Sequence, residues 1–178
     1  MEDQHMVDEA RFWDFLEAAW APLGAEVDRA RSALATRTPA PGEDFDGKPP
    51  FAVVDGALDG FLDNLTANSR GLSAEELTAF DRVVERKLHD IDREDVHAVT
   101  DGSDDGFLYA RGFIVALGRD FYAAVVRDPR TAVLDADCEG MCYFFAHLHR
   151  RRFGDFPDTG SGLSRESFSN PAGWLAPA

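Results

Sequence analysis

Apolar residues recur along this chain at intervals of three and four, the period of a helix with one buried face. Phe12, Leu16, Ala19, Trp20 and Leu23 form one such stripe and predict a helix over residues 8–20. Val27, Ala30 and Leu34 predict a second over 22–35, with Pro22 in its first turn, where a missing N–H costs nothing. Val54, Leu58, Phe61 and Leu65 predict a third over 52–66, weakened by Gly56 and Gly60. Ser73-Ala74-Glu75-Glu76 has the form of a capping box, in which the serine accepts from the third amide and the glutamate reaches back. It opens a helix carrying Leu77, Phe80, Val84, Leu88 and Ile91. A short helix over 92–99 and a turn at Asp101-Gly102 come next. Ser103 or Asp104 then caps a long helix toward Arg127, with Phe107, Ala110, Ile114, Leu117, Phe121 and Val125 on one face. Asp128-Pro129 ends or turns it, because proline restricts the residue before it. Residues 137–152 predict a last helix, with Cys138, Met141, Cys142, Phe145 and His149 on one side.

Between these segments, Thr38-Pro39-Ala40-Pro41-Gly42 begins a breaker-rich loop that runs to Pro49-Pro50, so residues 36–50 are expected to be a loop and the best candidate for a mobile segment. Residues 159–178 show no period and form an irregular tail. Phe168 and Trp174 argue that this tail docks on the body, since structureless termini are poor in aromatic residues. Val53-Val54 and Val125-Val126 are too short for strands. The expected architecture is all-α: residues 1–178 as a single-domain bundle of about six helices with an extended, docked C-terminal tail.

Composition sharpens this picture through charge. The 178 residues are 44% hydrophobic, enough for a real core, and carry a net charge of -15. Residues 1–110 hold 25 acids against 10 Lys and Arg, whereas residues 111–178 hold 8 of each, so the excess lies entirely in the front. Such a charge repels phosphate backbones and anionic lipid, so no nucleic acid and no membrane is expected as a partner. It suits a basic protein partner. The one basic run, Arg150-Arg151-Arg152, falls where a helix ends and cations complement its dipole. Met1-Glu2-Asp3-Gln4-His5 is acidic where a secretory leader is basic, and no apolar run of about 20 residues follows. A cytoplasmic location with reduced Cys138 and Cys142 is therefore expected.

The block Ser103-Asp104-Asp105-Gly106-Phe107-Leu108-Tyr109-Ala110-Arg111-Gly112-Phe113-Ile114-Val115 holds most of the candidate chemistry. Asp104 and Asp105 could share a proton or bind a cation, or could simply accept the amides of a helix start. Arg111 sits among apolar positions and needs an acceptor. Asp104 two turns away, Asp81 or Glu139 could supply it, or Arg111 could clamp a ligand carboxylate or phosphate. Cys138, Cys142, His147 and His149 match no zinc spacing, and no glycine-rich phosphate loop is present, so neither metal nor cofactor is expected.

The same block, continued by Gly118, Phe121-Tyr122 and Asp128-Pro129, resembles the bacterial family called domain of unknown function 4240, most closely over residues 72–135. Phe12-Trp13 is similar to the family's opening, and residues 162–174 resemble a tail carried by a subgroup. Many members have a tryptophan-rich stretch before the Ser-Asp-Asp-Gly-Phe block, where this chain reads Asp92-Arg93-Glu94-Asp95-Val96-His97. The resemblance implies no assigned chemistry. Two functions of different class follow. One is an acidic binding protein for a cationic protein partner (an inhibitor, immunity-type protein or adaptor), with residues 75–95 as the charged surface to test. The other is a small-molecule enzyme or binder for a small anionic ligand. In that case Asp104, Asp105, Tyr109 and Arg111 line a cleft closed by the tail, and Arg165 and Glu166 add polar contacts.

Overall fold

The computed structural model describes residues 2–174 except 42, 46 and 101, and side chains from residue 5 onward. The expected tail residues 175–178 and part of the Asp101-Gly102 turn therefore lie outside the described residues. Every regular element described is helical. In chain order these are α1 (Glu2–Trp20), α2 (Ala25–Thr36), α3 (Phe51–Asp55), α4 (Leu58–Asn68) and α5 (Ala74–Asp90). They are followed by α6 (Glu94–Thr100), α7 (Asp104–Ala116), α8 (Arg119–Arg127), α9 (Glu139–Cys142) and α10 (Phe144–Phe153). No described helix is long and apolar enough to cross a membrane.

The helices pack as α1 on α4 and α5, α2 on α3 and α8, α5 on α10, and α7 on α9. One continuous hydrophobic cluster joins them, with Phe12, Leu16, Trp20, Phe61, Leu65, Leu77, Val84 and Phe145 fully excluded from water. Trp20 ties α1 to two neighbours at once. Its ring stacks on Phe61 at 4.4 Å, and its indole N–H donates to the Ala116 carbonyl at 2.7 Å. That bond satisfies an orphan carbonyl at the end of α7.

Helix α7 is the axis of the fold and is buried nearly all round, not on one stripe. Gly112 makes this possible. A Cβ there would lie 2.5 Å from the Cys138 carbonyl oxygen and 2.6 Å from the Cys142 sulfur, so α9 can press directly on the α7 backbone only at a glycine.

The stripes predict the buried residues well, but three expected helices are broken. Residues 52–66 divide into α3 and α4 around Gly56 and Ala57. The helix expected from 103 to 127 ends at Ala116 and restarts at Arg119, because Gly118 takes φ 95° and turns the chain. There Arg31 donates to the Leu117 carbonyl at 2.8 Å and pairs with Glu17 at 2.5 Å. The helix expected over 137–152 breaks at Tyr143, which takes φ -127° and ψ 20°. The capping box at Ser73 and Glu76 forms as expected, with both reciprocal bonds present. Arg150, Arg151 and Arg152 occupy the last turn of α10, where Arg152 also donates to the Ser69 carbonyl at 2.9 Å. In the 36–50 loop, Arg37 bridges the Leu34 carbonyl and the Glu43 carboxylate at 2.7 and 3.1 Å.

Candidate functional site

Two surfaces collect the chemistry-bearing residues, one on each side of α7. The first lies under the tail. From Gly154 to Trp174 the chain runs without regular structure, apart from one 3-10 turn at 171–173, across α10, α5 and the start of α7. Its contacts are polar and dense. Arg165 is 6% exposed and reaches Asp81, itself 2% exposed, through two bonds of 3.0 and 2.9 Å. It also donates to the Cys142 carbonyl at 2.8 Å, approaches Glu85 at 3.4 Å, and lies over the Tyr143 ring. Burial alone would lower the Arg165 pKa; its bonds to Asp81 and the nearby Glu85 charge outweigh that and raise it. Glu85 accepts from the hydroxyls of Thr159 and Ser161 as well.

Asp92 anchors the next stretch. Its fully buried carboxylate accepts the amides of Phe168, Ser169 and Asn170 at 3.0, 2.7 and 2.9 Å, and the indole N–H of Trp174 at 3.0 Å. Those donors compensate a charge that could not otherwise be buried. They also hold Phe168 at φ 64°, an uncommon conformation for a side chain with a Cβ. Gly173 passes so near the Asp92 carbonyl that an added Cβ would also stand 2.9 Å from Arg93. Phe168 and Trp174 close over His97 and Phe107 in an aromatic cluster, with the tail rings 4.6 Å apart. The tail thus docks on the body, as its aromatics predict.

Arg111 points into the same seam and is fully buried. Among the described residues it has no carboxylate partner. Nη1 donates to the Leu88 carbonyl at 2.8 Å, Nη2 donates to the Ser167 hydroxyl at 2.9 Å, and the guanidinium stacks on Phe107 at 4.7 Å. Its Nε has no partner among the described residues. Burial lowers its pKa, opposed by the charge of Asp92. Of the acceptors weighed from the sequence, Asp81 is taken by Arg165, Glu139 lies beside Tyr109, and Asp104 offers only its carbonyl, to Ser167 at 2.6 Å.

Glu166 accepts from the Tyr143 hydroxyl, and burial together with that bond pushes the Tyr143 pKa up. Between tail and body these groups line a recess of about 460 Å³ with Glu85, His147 and Phe156 on its walls. The tail therefore brings Arg111, Arg165 and Glu166 to one seam and meets Asp104 at its backbone carbonyl, while the side chains of Asp104, Asp105 and Tyr109 face away from it.

The second surface lies on the other side, around α9. Ser103, not Asp104, caps α7, accepting from the Gly106 amide at 3.2 Å; Asp104 and Asp105 occupy its first turn and are exposed. Tyr109 is partly buried beside them, and burial with the charges of Glu139 and Asp105 raises its pKa. Cys138 is buried below the same surface. Burial, opposed by a bond from the Met141 amide, and the charges of Asp137, Asp59 and Asp55 push its thiol up to about 12. Cys142 is likewise raised to about 12 by burial and Cys138. Neither thiol is an activated nucleophile at neutral pH. His149 bonds the Asp155 carbonyl at 2.6 Å and His147 stacks on Tyr143, so neither histidine completes a set with the cysteines. Among the described residues no three His, Cys, Asp or Glu side chains converge as metal ligands do.

Asp55, Asp59, Asp105, Asp137 and Glu139 are all exposed, and none takes part in an ion pair among the described residues. Most acids of 75–95 differ. Glu76 is paired with Arg11, Asp81 and Glu85 with Arg165, Asp95 with Arg93, and Asp92 is buried under the tail. Of the eight acids expected on that stretch, these five are engaged within the molecule, and Glu75, Asp90 and Glu94 remain exposed. Sequence reasoning did not single out Glu85, Asp92, Tyr143 or Ser167. The available signal was weak: Asp92 follows the last apolar residue of a strong amphipathic helix, where a polar residue has many bland uses.

The family model described as protein of unknown function (DUF4240) matches residues 52–147. No curated protein and no solved structure matches the chain. The matched span contains Asp81, Asp92, Arg111 and Tyr143, and stops short of the tail that binds them.

Proposed function

Because the chain belongs to the DUF4240 family of proteins of unknown function, we propose a role from its own surface: it acts by binding, and presents an acidic face to a cationic protein partner. The observation that carries this reading is the set Asp55, Asp59, Asp105, Asp137 and Glu139, exposed and without ion pairs among the described residues, on adjoining parts of α3, α4, α7, α9 and the loop leading into α9. Natural surfaces usually intersperse both signs. Here the charges of Glu139 and Asp105 act on Tyr109, and those of Asp137, Asp59 and Asp55 act on Cys138. The acids are spread over the surface, which suits several lysines or arginines of a protein better than one small cation. Such a face steers a basic partner and speeds encounter.

The test is capture of binding proteins from the native host by the tagged full chain, repeated with Asp55→Asn, Asp59→Asn and Asp137→Asn combined. A control removes the same charge at exposed, unpaired sites elsewhere, as Asp14→Asn, Glu26→Gln and Glu94→Gln. The expected outcome is a basic partner lost in the first variant, kept in the control, and released at 1 M salt, where the screening length is about 3 Å. Equal loss in both variants, or a partner retained at that salt, would overturn the assignment.

A further inference from the structure

The tail is bound as a ligand is bound. Besides the aromatic contacts of Phe168 and Trp174, its contacts are directional bonds from an extended segment to groups that the body holds in place. Asp81 and Glu85 on α5 receive one arginine. The buried Asp92 carboxylate receives a row of three tail amides and an indole. Arg111 and Tyr143 receive a hydroxyl and a carboxylate from the residues between. All the receiving groups lie within residues 52–147, and everything they receive lies beyond that span. The joining segment 154–156 is exposed and starts at Gly154, with φ 99°.

We propose that the seam across α5, α7 and α10 is a peptide-binding site for an extended segment of the pattern Ser-Arg-x-Ser-Phe, which residues 164–168 fill in cis. The site is separate from the acidic face and does not depend on it. Asp81 supplies specificity for arginine, because a planar guanidinium matches its carboxylate at two points and a lysine does not. Asp92 requires a turn with free amides three residues beyond that arginine, which excludes proline there. An intramolecular tail acts at an effective concentration in the millimolar range, so a peptide in trans binds appreciably only when the cis copy is weakened.

The experiment adds a labelled synthetic peptide of residues 159–174 to the full-length chain and to its Arg165→Ala/Trp174→Ala variant, which leaves every receiving group intact. The variant is expected to bind one peptide per chain, and the unaltered chain to bind at least about tenfold more weakly. A peptide with Arg165→Ala is expected to lose about tenfold or more. A variant with unchanged helix content that fails to take up the peptide overturns the proposal. Hydrogen exchange on the unaltered chain provides an independent check should the variant not fold. Amides of 164–173 opening together, ahead of those in α5 and α7, support a separable ligand; exchange in step with α5 and α7 overturns it.

Discussion

Arg111 and Arg165 are both buried guanidinium groups, yet they are compensated differently, and this difference is measurable. Arg165 is locked to Asp81 by two charged bonds, so removing either partner leaves the other as an uncompensated interior charge. Arg165→Ala should destabilise the fold by about 3–5 kcal/mol in urea unfolding. Asp81→Asn should cost a similar amount, and the double variant should cost much less than their sum. Arg111 has carbonyl and hydroxyl acceptors instead, so Ser167→Ala should weaken it by only about 1–3 kcal/mol, the cost of one unmet charged donor. The thiols give a pH signature. Cys138 and Cys142 are raised from 9.0 to about 12 in the folded chain, so the unfolded chain loses those protons first as pH rises. Their contribution to stability is fully present below pH 9 and is lost between 9 and about 12. Unfolding midpoints across that range should fall, and a thiol reagent at pH 8 should label neither cysteine until the protein is denatured. The sequence placed Arg111 correctly among apolar neighbours, but its acceptors are a backbone carbonyl and a distant serine hydroxyl, which no spacing rule encodes.

Elements were legible where a single stripe faces the core and illegible where the chain bends within one. The stripe Leu77, Phe80, Val84, Leu88 and Ile91 is buried throughout, and its capping box forms as written. Ser73→Ala should cost about 1 kcal/mol of stability by removing that cap. The breaks at Gly118 and Tyr143 were hidden because apolar periodicity continues across both. A bend that keeps both halves on one core leaves the period nearly unchanged. Gly112 shows the converse: an unremarkable glycine in the sequence is the contact point of α7 and α9. Gly112→Ala should destabilise by about 1–3 kcal/mol with an unchanged denaturant slope, the mark of overpacking in an otherwise intact fold.

At the scale of the whole molecule, a net charge of -15 acts against compactness by self-repulsion. Added salt should raise the midpoint of thermal unfolding. The triple neutralisation on the acidic face should reduce that salt dependence, because repulsion among unpaired acids is what salt screens. Read alone, the chain determined the all-α class, the buried stripes, the docking of the tail and the sign of the surface, since each follows from local periodicity or from counting charges. It could not apportion those charges. Whether an acid is spent on Arg165, buried beneath backbone amides at Asp92, or left facing solvent at Asp55 and Asp137 depends on which segments meet across more than seventy residues of chain. Only the tertiary structure decides that, because the energy of a charge is set by its neighbours in space and by its distance from water, and neither is a property of its place in the sequence.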